Sequence, residues 1–218
     1  LDRLESDLYA MQRRMMLTAQ VFEGSRINAE PMSEQFVCLN EMTIRPASVD
    51  RMPTSVLEVE VDGEILDQFQ GDGLLVATPT GSTGYTTSAN GPMVHPGLDA
   101  MVVTPICPLS LSSRPLVLPP RSQVSVWPLG ESEPTTRLWA DGASGTSIWP
   151  GQRVVVRKAE HWAKFIILRE NHSFFRTLRD KLQWAGTRIH YDNRYRGNGK
   201  PVDEDNERWE PFPSSDQG

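Results

Sequence analysis

Between Phe36 and Glu170 the sequence is broken into short apolar runs, with proline, glycine or an Asp-Gly pair in nearly every gap. Runs of this length read as strands rather than helices, and a series of short strands buries its apolar faces most simply by packing one sheet on another. The strongest local signal is VLEVEV (56–61), joined by Asp62-Gly63 to EILDQF (64–69). A two-residue type I′ hairpin turn needs positive φ at both central positions, which Asp-Gly accepts. VLEVEV alternates, with Leu57, Val59 and Val61 toward one face and Glu58 and Glu60 toward the other. FVCLNEMTI (36–44), GLLVAT (73–78), AMVVTPI (100–106), RPLVLP (114–119), QVSVWPL (123–129), TRLWA (136–140), RVVVRKA (153–159) and KFIILRE (164–170) complete the set. The predicted fold class is mainly β, a β-sandwich-like domain.

Outside this block the periodicity changes. Leu1, Leu4, Leu8, Met11 and Met15 recur at spacings of three and four, predicting an N-terminal amphipathic helix whose stripe needs a partner. Ser173 can cap a second helix carrying Phe174, Phe175, Leu178, Leu182 and Trp184, with Gly186 placed to stop it. The expected organisation is a helix and connector over 1–24, a β-rich domain over 25–170, a C-terminal helix over 171–188 and a polar, disordered tail over 189–218. Because Leu1 falls inside a helical pattern with no cap before it, sequence upstream is expected.

A net charge of -6 gives no broad footprint for nucleic acid, and the basic cluster Arg188, Arg194, Arg196, Lys200 is diluted by Asp192, Asp203, Glu204 and Asp205. No nucleic-acid partner is expected. No apolar stretch approaches the roughly 18 residues of a membrane span, and no signal-peptide pattern opens the chain. A soluble, cytoplasmic protein without a membrane partner is expected. Cys38 and Cys107 lie in apolar runs without Cys or His at metal-ligand spacing, so both read as buried thiols rather than a disulfide or metal site. His95 reads as a turn residue, and His161, His172 and His190 carry no assigned chemistry.

After Pro79 the sequence TGSTGYTTSANG is rich in small hydroxyls and glycine and carries no charge. A Walker A loop needs a lysine after its last glycine, and none occurs between 73 and 92; GxGxxG is absent too. Two readings stay open on composition alone. Ser, Thr and Gly build solvent-facing turns, and they also build loops whose free N–H groups hold an anion or a base edge. Asn40 and Glu41 favour the second, because an amide and a carboxylate inside an apolar run are costly to bury without partners.

LNEMTI (39–44), GDGLLVATPTGSTGYTTSANGPMVHP (71–96) and SSRPLVLP (112–119), in this order, closely resemble the NAD kinase family, as does RRMML (13–17). The resemblance implies transfer of a phosphoryl group from ATP or polyphosphate to the 2′-hydroxyl of the adenosine ribose of NAD, giving NADP. It implies Mg2+ or another divalent metal with ATP, and a homodimer or homotetramer. It places this chain as the β-rich C-terminal domain of a two-domain kinase, with the C-terminal helix returning to the other domain. Residue by residue, it implies that Asn40 and Glu41 face the adenosine of NAD and that Thr80 and Thr83 lie by the adenine. Tyr85 and Ser88 would border the nicotinamide side, and Asp72 would reach the nicotinamide of NAD bound mainly by a neighbouring subunit. Asp141-Gly142 reads from the residues as a hairpin turn, whereas the resemblance places an aspartate of this region near the dinucleotide; both readings stay open. Gly84 stands where many members have Ala, and Asn90 where a second Gly is common. The family's GGDG motif, whose aspartate is its candidate base and metal partner, occurs nowhere in these 218 residues, so no catalytic residue is identified and the chain alone is expected to be inactive. The alternative is a non-catalytic dinucleotide-binding module.

Overall fold

The computed structural model describes residues 2–24, 30–47, 54–129, 136–168 and 173–182. In chain order it holds α1 (Asp2–Glu5), β1 (Ala10–Arg14), β2 (Leu17–Glu23), β3 (Phe36–Cys38), β4 (Glu41–Pro46), β5 (Ser55–Val61), β6 (Glu64–Gly71) and β7 (Gly73–Ala77). A 3-10 turn (Gly81–Thr83) and α2 (Tyr85–Ser88) follow, then β8 (Met101–Ile106), β9 (Leu116–Leu118), β10 (Val124–Pro128), β11 (Thr136–Ala140), β12 (Ser144–Ile148), β13 (Gln152–Lys158), β14 (Ala163–Ile167) and α3 (Phe174–Leu182). The chain divides into two units, Leu1–Phe174 and Phe175–Gly218. Within α3 Leu178 is buried while Phe175 and Leu182 are exposed. Trp184, Gly186, the basic cluster and the tail lie outside the described residues.

Two six-stranded antiparallel sheets, in the orders β3-β2-β13-β10-β5-β6 and β12-β11-β4-β7-β8-β9, make up the first unit together with a β1-β14 ribbon. Leu17, Leu57, Val124 and Val154 of the first sheet share one buried cluster with Met42, Ile44, Leu74, Met101 and Leu138 of the second. That shared core is the reason the sheets stay together, since each fully buried large side chain contributes roughly 1.5 to 3 kcal/mol. The fold is mainly β, as the sequence predicts. On the far face of the second sheet Ala77, Val94 and Val102 form a smaller cluster, so the segment after β7 folds back over that sheet.

The Asp62-Gly63 turn joins β5 to β6 with φ of 53° and 89°. Asp62 also holds the approach to β10, its Oδ1 accepting from the Gln123 N–H at 2.7 Å and its own N–H donating to the Gln123 carbonyl at 2.9 Å. Glu58 and Glu60 do lie opposite Leu57 and Val59, yet both are buried, and the Gln68 amide donates to Glu58.

Three expectations need correction. The helix predicted from the Leu/Met stripe stops after one turn: Asp7 turns back at φ 53°, its N–H reaching the Leu4 carbonyl and the Leu8 N–H the Arg3 carbonyl. From Ala10 the chain is strand, and Leu8 and Met11 are exposed. The competing signal was period two, since Met15, Leu17, Ala19 and Val21 are buried and Thr18 and Gln20 are less so. FVCLNEMTI is not one strand but β3 and β4, broken at Leu39-Asn40. Cys107 is exposed at the end of β8 with φ 44°, whereas Cys38 is buried as expected.

Gly63→Ala is expected to destabilise the protein by about 1 kcal/mol, because a Cβ disfavours the positive φ this turn requires. A lower denaturant midpoint at unchanged slope is the measurement, and an unchanged midpoint would contradict the turn geometry.

Candidate functional site

The chain passes repeatedly from one sheet to the other, and the candidate residues collect at two of these crossings, β3–β4 and β6–β7. At the first crossing Cys38 pairs with Leu17 in the first sheet while Glu41 pairs with Ala77 in the second, leaving Leu39 and Asn40 between the ladders. Peptide groups lifted off a ladder need other partners. They find them in the β11–β12 turn, where Asp141 and Gly142 take φ of 47° and 67°. Asp141 Oδ2 accepts from the Leu39 N–H at 2.8 Å, and Oδ1 accepts from the N–H groups of Asn40 at 2.8 Å and Glu41 at 3.0 Å. The Asp141 N–H in turn donates to the Glu41 carbonyl at 3.0 Å.

The carbonyls of the same crossing are held by the hydroxyl segment. The Thr78 N–H donates to the Asn40 carbonyl at 2.8 Å and its Oγ1 to the Leu39 carbonyl at 2.6 Å. Gly81 packs so closely that a Cβ there would overlap the Asn40 carbonyl. Further along, Ser82 Oγ donates to the Pro79 carbonyl at 2.7 Å and accepts from the Val94 N–H at 2.8 Å. Thr83 Oγ1 donates to the Thr80 carbonyl at 3.3 Å and Thr87 Oγ1 to the Ser82 carbonyl at 2.8 Å. Most of these hydroxyls therefore fix the loop itself. Asn90, standing where the resembled family often has Gly, has φ 60°, a conformation asparagine tolerates. A Cβ at Gly84 would sit 3.3 Å from the Gly81 carbonyl oxygen and 3.9 Å from Glu41 Oε2.

What the fold leaves free faces the crossing. The Asn40 side-chain amide and the Thr80 hydroxyl make no hydrogen bond among the described residues, and Glu41 Oε2 is buried without a partner. Burial first, and the neighbouring Asp141 charge second, push the Glu41 carboxyl above the usual carboxylate range. Burial, then the charges of Asp141 and Glu41, push the Cys38 thiol far up as well. Tyr85 opens α2, and its phenol oxygen accepts from the Arg45 guanidinium of β4 at 3.1 Å. Ser88 is exposed at the end of that helix.

The structure thus brings Asn40 and Glu41 together with the segment carrying Thr80, Thr83, Tyr85 and Ser88. Asp72 stands apart, at the second crossing between β6 and β7, where its N–H donates to the Ile106 carbonyl at 2.9 Å. The length of β7, about 17 Å at roughly 3.3 Å per residue, separates it from the first crossing. Thr78 and Arg45 were not singled out by sequence; only the strand break at Leu39-Asn40, had it been read as a crossing, could have signalled Thr78. Among the described residues no group of three or more His, Cys, Asp or Glu assembles that could hold a metal ion. No helix among them is long and apolar enough to cross a membrane.

Comparison with known proteins adds context. Residues 39–168 match the family model described as the ATP-NAD kinase C-terminal domain. The chain is 63% identical over 199 residues to NAD kinase 1 of Synechocystis sp., covering 91% of this chain and 64% of that protein. It is 64% identical over 195 residues to NAD kinase 1 of Thermosynechococcus vestitus, covering 89% of this chain and 64% of that protein. It therefore spans 64% of the length of these relatives. The crystal structure of yeast NADH kinase complexed with NADH superposes with a TM-score of 0.72 at 26% identity, over 88% of this chain and 53% of that one. An Archaeoglobus fulgidus NAD kinase in complex with ATP superposes with a TM-score of 0.60 at 24% identity, over 76% of this chain and 58% of that one, a likeness of fold.

Gly81→Ala is expected to cost about 1 to 3 kcal/mol, because the atom in its way is backbone and cannot swing aside. Thermal unfolding reads the loss; wild-type stability in the variant would show that the hydroxyl segment does not approach Asn40 this closely.

Proposed function

The chain belongs to the ATP-NAD kinase family, and on that premise we propose that it supplies the dinucleotide site of an NAD kinase, a phosphotransferase acting on an alcohol group. NAD would be phosphorylated at the 2′-hydroxyl of its adenosine ribose, with ATP or polyphosphate as donor, to give NADP. The observation that carries the reading is the Glu41 carboxylate, buried at one oxygen without a partner beside the free Asn40 amide. A buried acceptor left unmade costs about 1 to 3 kcal/mol, and ribose hydroxyls or a base edge would recover that on binding.

In this reading the Asn40 amide and Glu41 carboxylate take the adenosine. The Thr80 hydroxyl, free of internal bonds, donates beside the adenine. Thr83, whose proton is committed to the Thr80 carbonyl, offers its remaining lone pairs there. Tyr85, steadied by Arg45, and Ser88 border the nicotinamide side. Phosphoryl transfer depends mainly on positioning and on neutralising charge, so a rigid acceptor site contributes by fixing the ribose relative to the donor. Magnesium would accompany the donor nucleotide. By the family resemblance, Asp72 would serve a dinucleotide held mainly by a second copy, in a homodimer or homotetramer. A cytoplasmic location belongs to the same proposal.

The test is NADP formation from NAD with ATP or polyphosphate by the enzyme carrying this chain, alongside NAD binding by calorimetry. Binding without turnover would favour a non-catalytic dinucleotide module, and absence of both would remove the proposal. Asn40→Ala is expected to raise the Michaelis constant for NAD about tenfold, the loss of one hydrogen bond to a buried partner; an unchanged constant would take Asn40 out of the site. Asp72→Ala is expected to weaken NAD binding without unfolding the protein. Mixed oligomers of Asp72→Ala with Asn40→Ala should regain part of the activity, and no recovery would return Asp72 to its own subunit.

A further inference from the structure

Resting on the dinucleotide reading above, we infer that Asp141 is a positioning residue, which acts on the ligand through the backbone of residues 39–41 rather than by touching it. Both of its oxygens are turned onto the three consecutive N–H groups of Leu39, Asn40 and Glu41, at 2.8, 2.8 and 3.0 Å. The return bond from its own N–H to the Glu41 carbonyl closes the arrangement, so the β11–β12 turn and the crossing cannot shift independently. On the other side Thr78 and Gly81 hold the Asn40 carbonyl. The peptide units flanking Asn40 are gripped from both faces, which sets the direction in which the Asn40 and Glu41 side chains leave the backbone. Charge-assisted bonds of this kind are about twice as strong as neutral ones, so a carboxylate suits the task better than an amide.

A second consequence separates this role from plain structural support. Glu41 lies beside Asp141 from the β11–β12 turn and Cys38 from β3, with Gly84 before α2 near its Oε2, and no cation among the described residues is bonded to either carboxylate. The Cys38 thiol stays neutral because burial holds its titration far up. Asp141 is thus the charge that, after burial, holds the Glu41 carboxyl up. If ionised Glu41 accepts from the ribose, NAD affinity is full above the Glu41 titration and is lost as pH falls through it. Removing the Asp141 charge lowers that titration and moves the acid limb to lower pH.

Asp141→Asn is the informative substitution, because asparagine tolerates the left-handed turn and keeps one acceptor oxygen, while its amide group opposes the Leu39 N–H. Asp141→Gly keeps the turn and removes the side chain altogether. In the enzyme carrying this chain, both variants are expected to speed amide hydrogen exchange at 39–41 and to weaken NAD about tenfold. The Michaelis constant for ATP should not move, and in Asp141→Asn the acid limb of NAD affinity should shift downward. Unchanged exchange at 39–41 would overturn the clamp, and faster exchange with unchanged NAD affinity would overturn the positioning role. An acid limb that stays in place would overturn the electrostatic part. Wild-type protein without NAD affinity would sink the functional reading, and the positioning role with it, even if exchange at 39–41 rises in the variants.

Discussion

A strand that leaves one sheet and enters another must pass through a stretch where neither ladder can take its peptide groups. From Leu39 to Glu41 three consecutive N–H groups are in that position, and a single carboxylate, Asp141, takes all of them. These residues are half-buried and Asp141 is exposed, so the carboxylate's part is to fix the backbone of the crossing in one conformation where solvent alone would satisfy it in many. Because Asp141 sits on the β11–β12 hairpin, the same interaction ties the hairpin next to β4 to the point where the first sheet hands over its chain. It also relieves Asn40 and Glu41 of structural duty. Their backbones are satisfied by Asp141 and Thr78, which leaves an amide and a carboxylate that the fold does not need.

The hydroxyl segment shows a division of labour that its composition conceals. Small hydroxyls look like ligand contacts in a sequence because they are what ligands with base edges and ribose oxygens require. Here Thr78, Ser82, Thr83 and Thr87 spend their protons on carbonyls of the loop and the crossing. They replace the regular ladder that a segment turning through a 3-10 turn and one helical turn cannot have. The outward groups, Thr80 and Tyr85, are few by comparison. A loop fixed in this way presents them without having to be ordered by what it binds.

The strands were legible wherever turn chemistry and periodicity agreed. Asp62-Gly63 and Asp141-Gly142 both adopt the positive φ values their sequences imply, and the runs that end in Pro or Gly became β7 through β11 and β13 with small changes at their ends. The N-terminal stretch misled because Leu and Met at spacings of three and four also satisfy alternation from Met15 onward, and pairing with β3, β13 and β14 decided between the two. β12, with Ser144, Gly145, Thr146 and Ser147, carries almost no apolar signal and was invisible. At the site, Asn40, Glu41 and the loop residues could be assembled from motif resemblance. The role of Asp141 could not, because it depends on which backbone groups a crossing strands, and that is fixed only by sheet order.

That sheet order also dictates when the parts can come together. β5 and β6 close over the Asp62-Gly63 turn and β7 and β8 over the segment 78–100, whereas Leu17 pairs with Lys158 and the crossing waits for residue 141. Long closures are slow because their entropy is lost before any contact rewards it. As the chain leaves the ribosome, β2 and β3 therefore emerge early and remain without β13 until nearly the whole first unit has been made. Their apolar residues, Leu17, Ala19 and Val21, stay unshielded over that interval, and the order of synthesis makes the Asn40–Glu41 corner one of the last features the nascent polypeptide acquires.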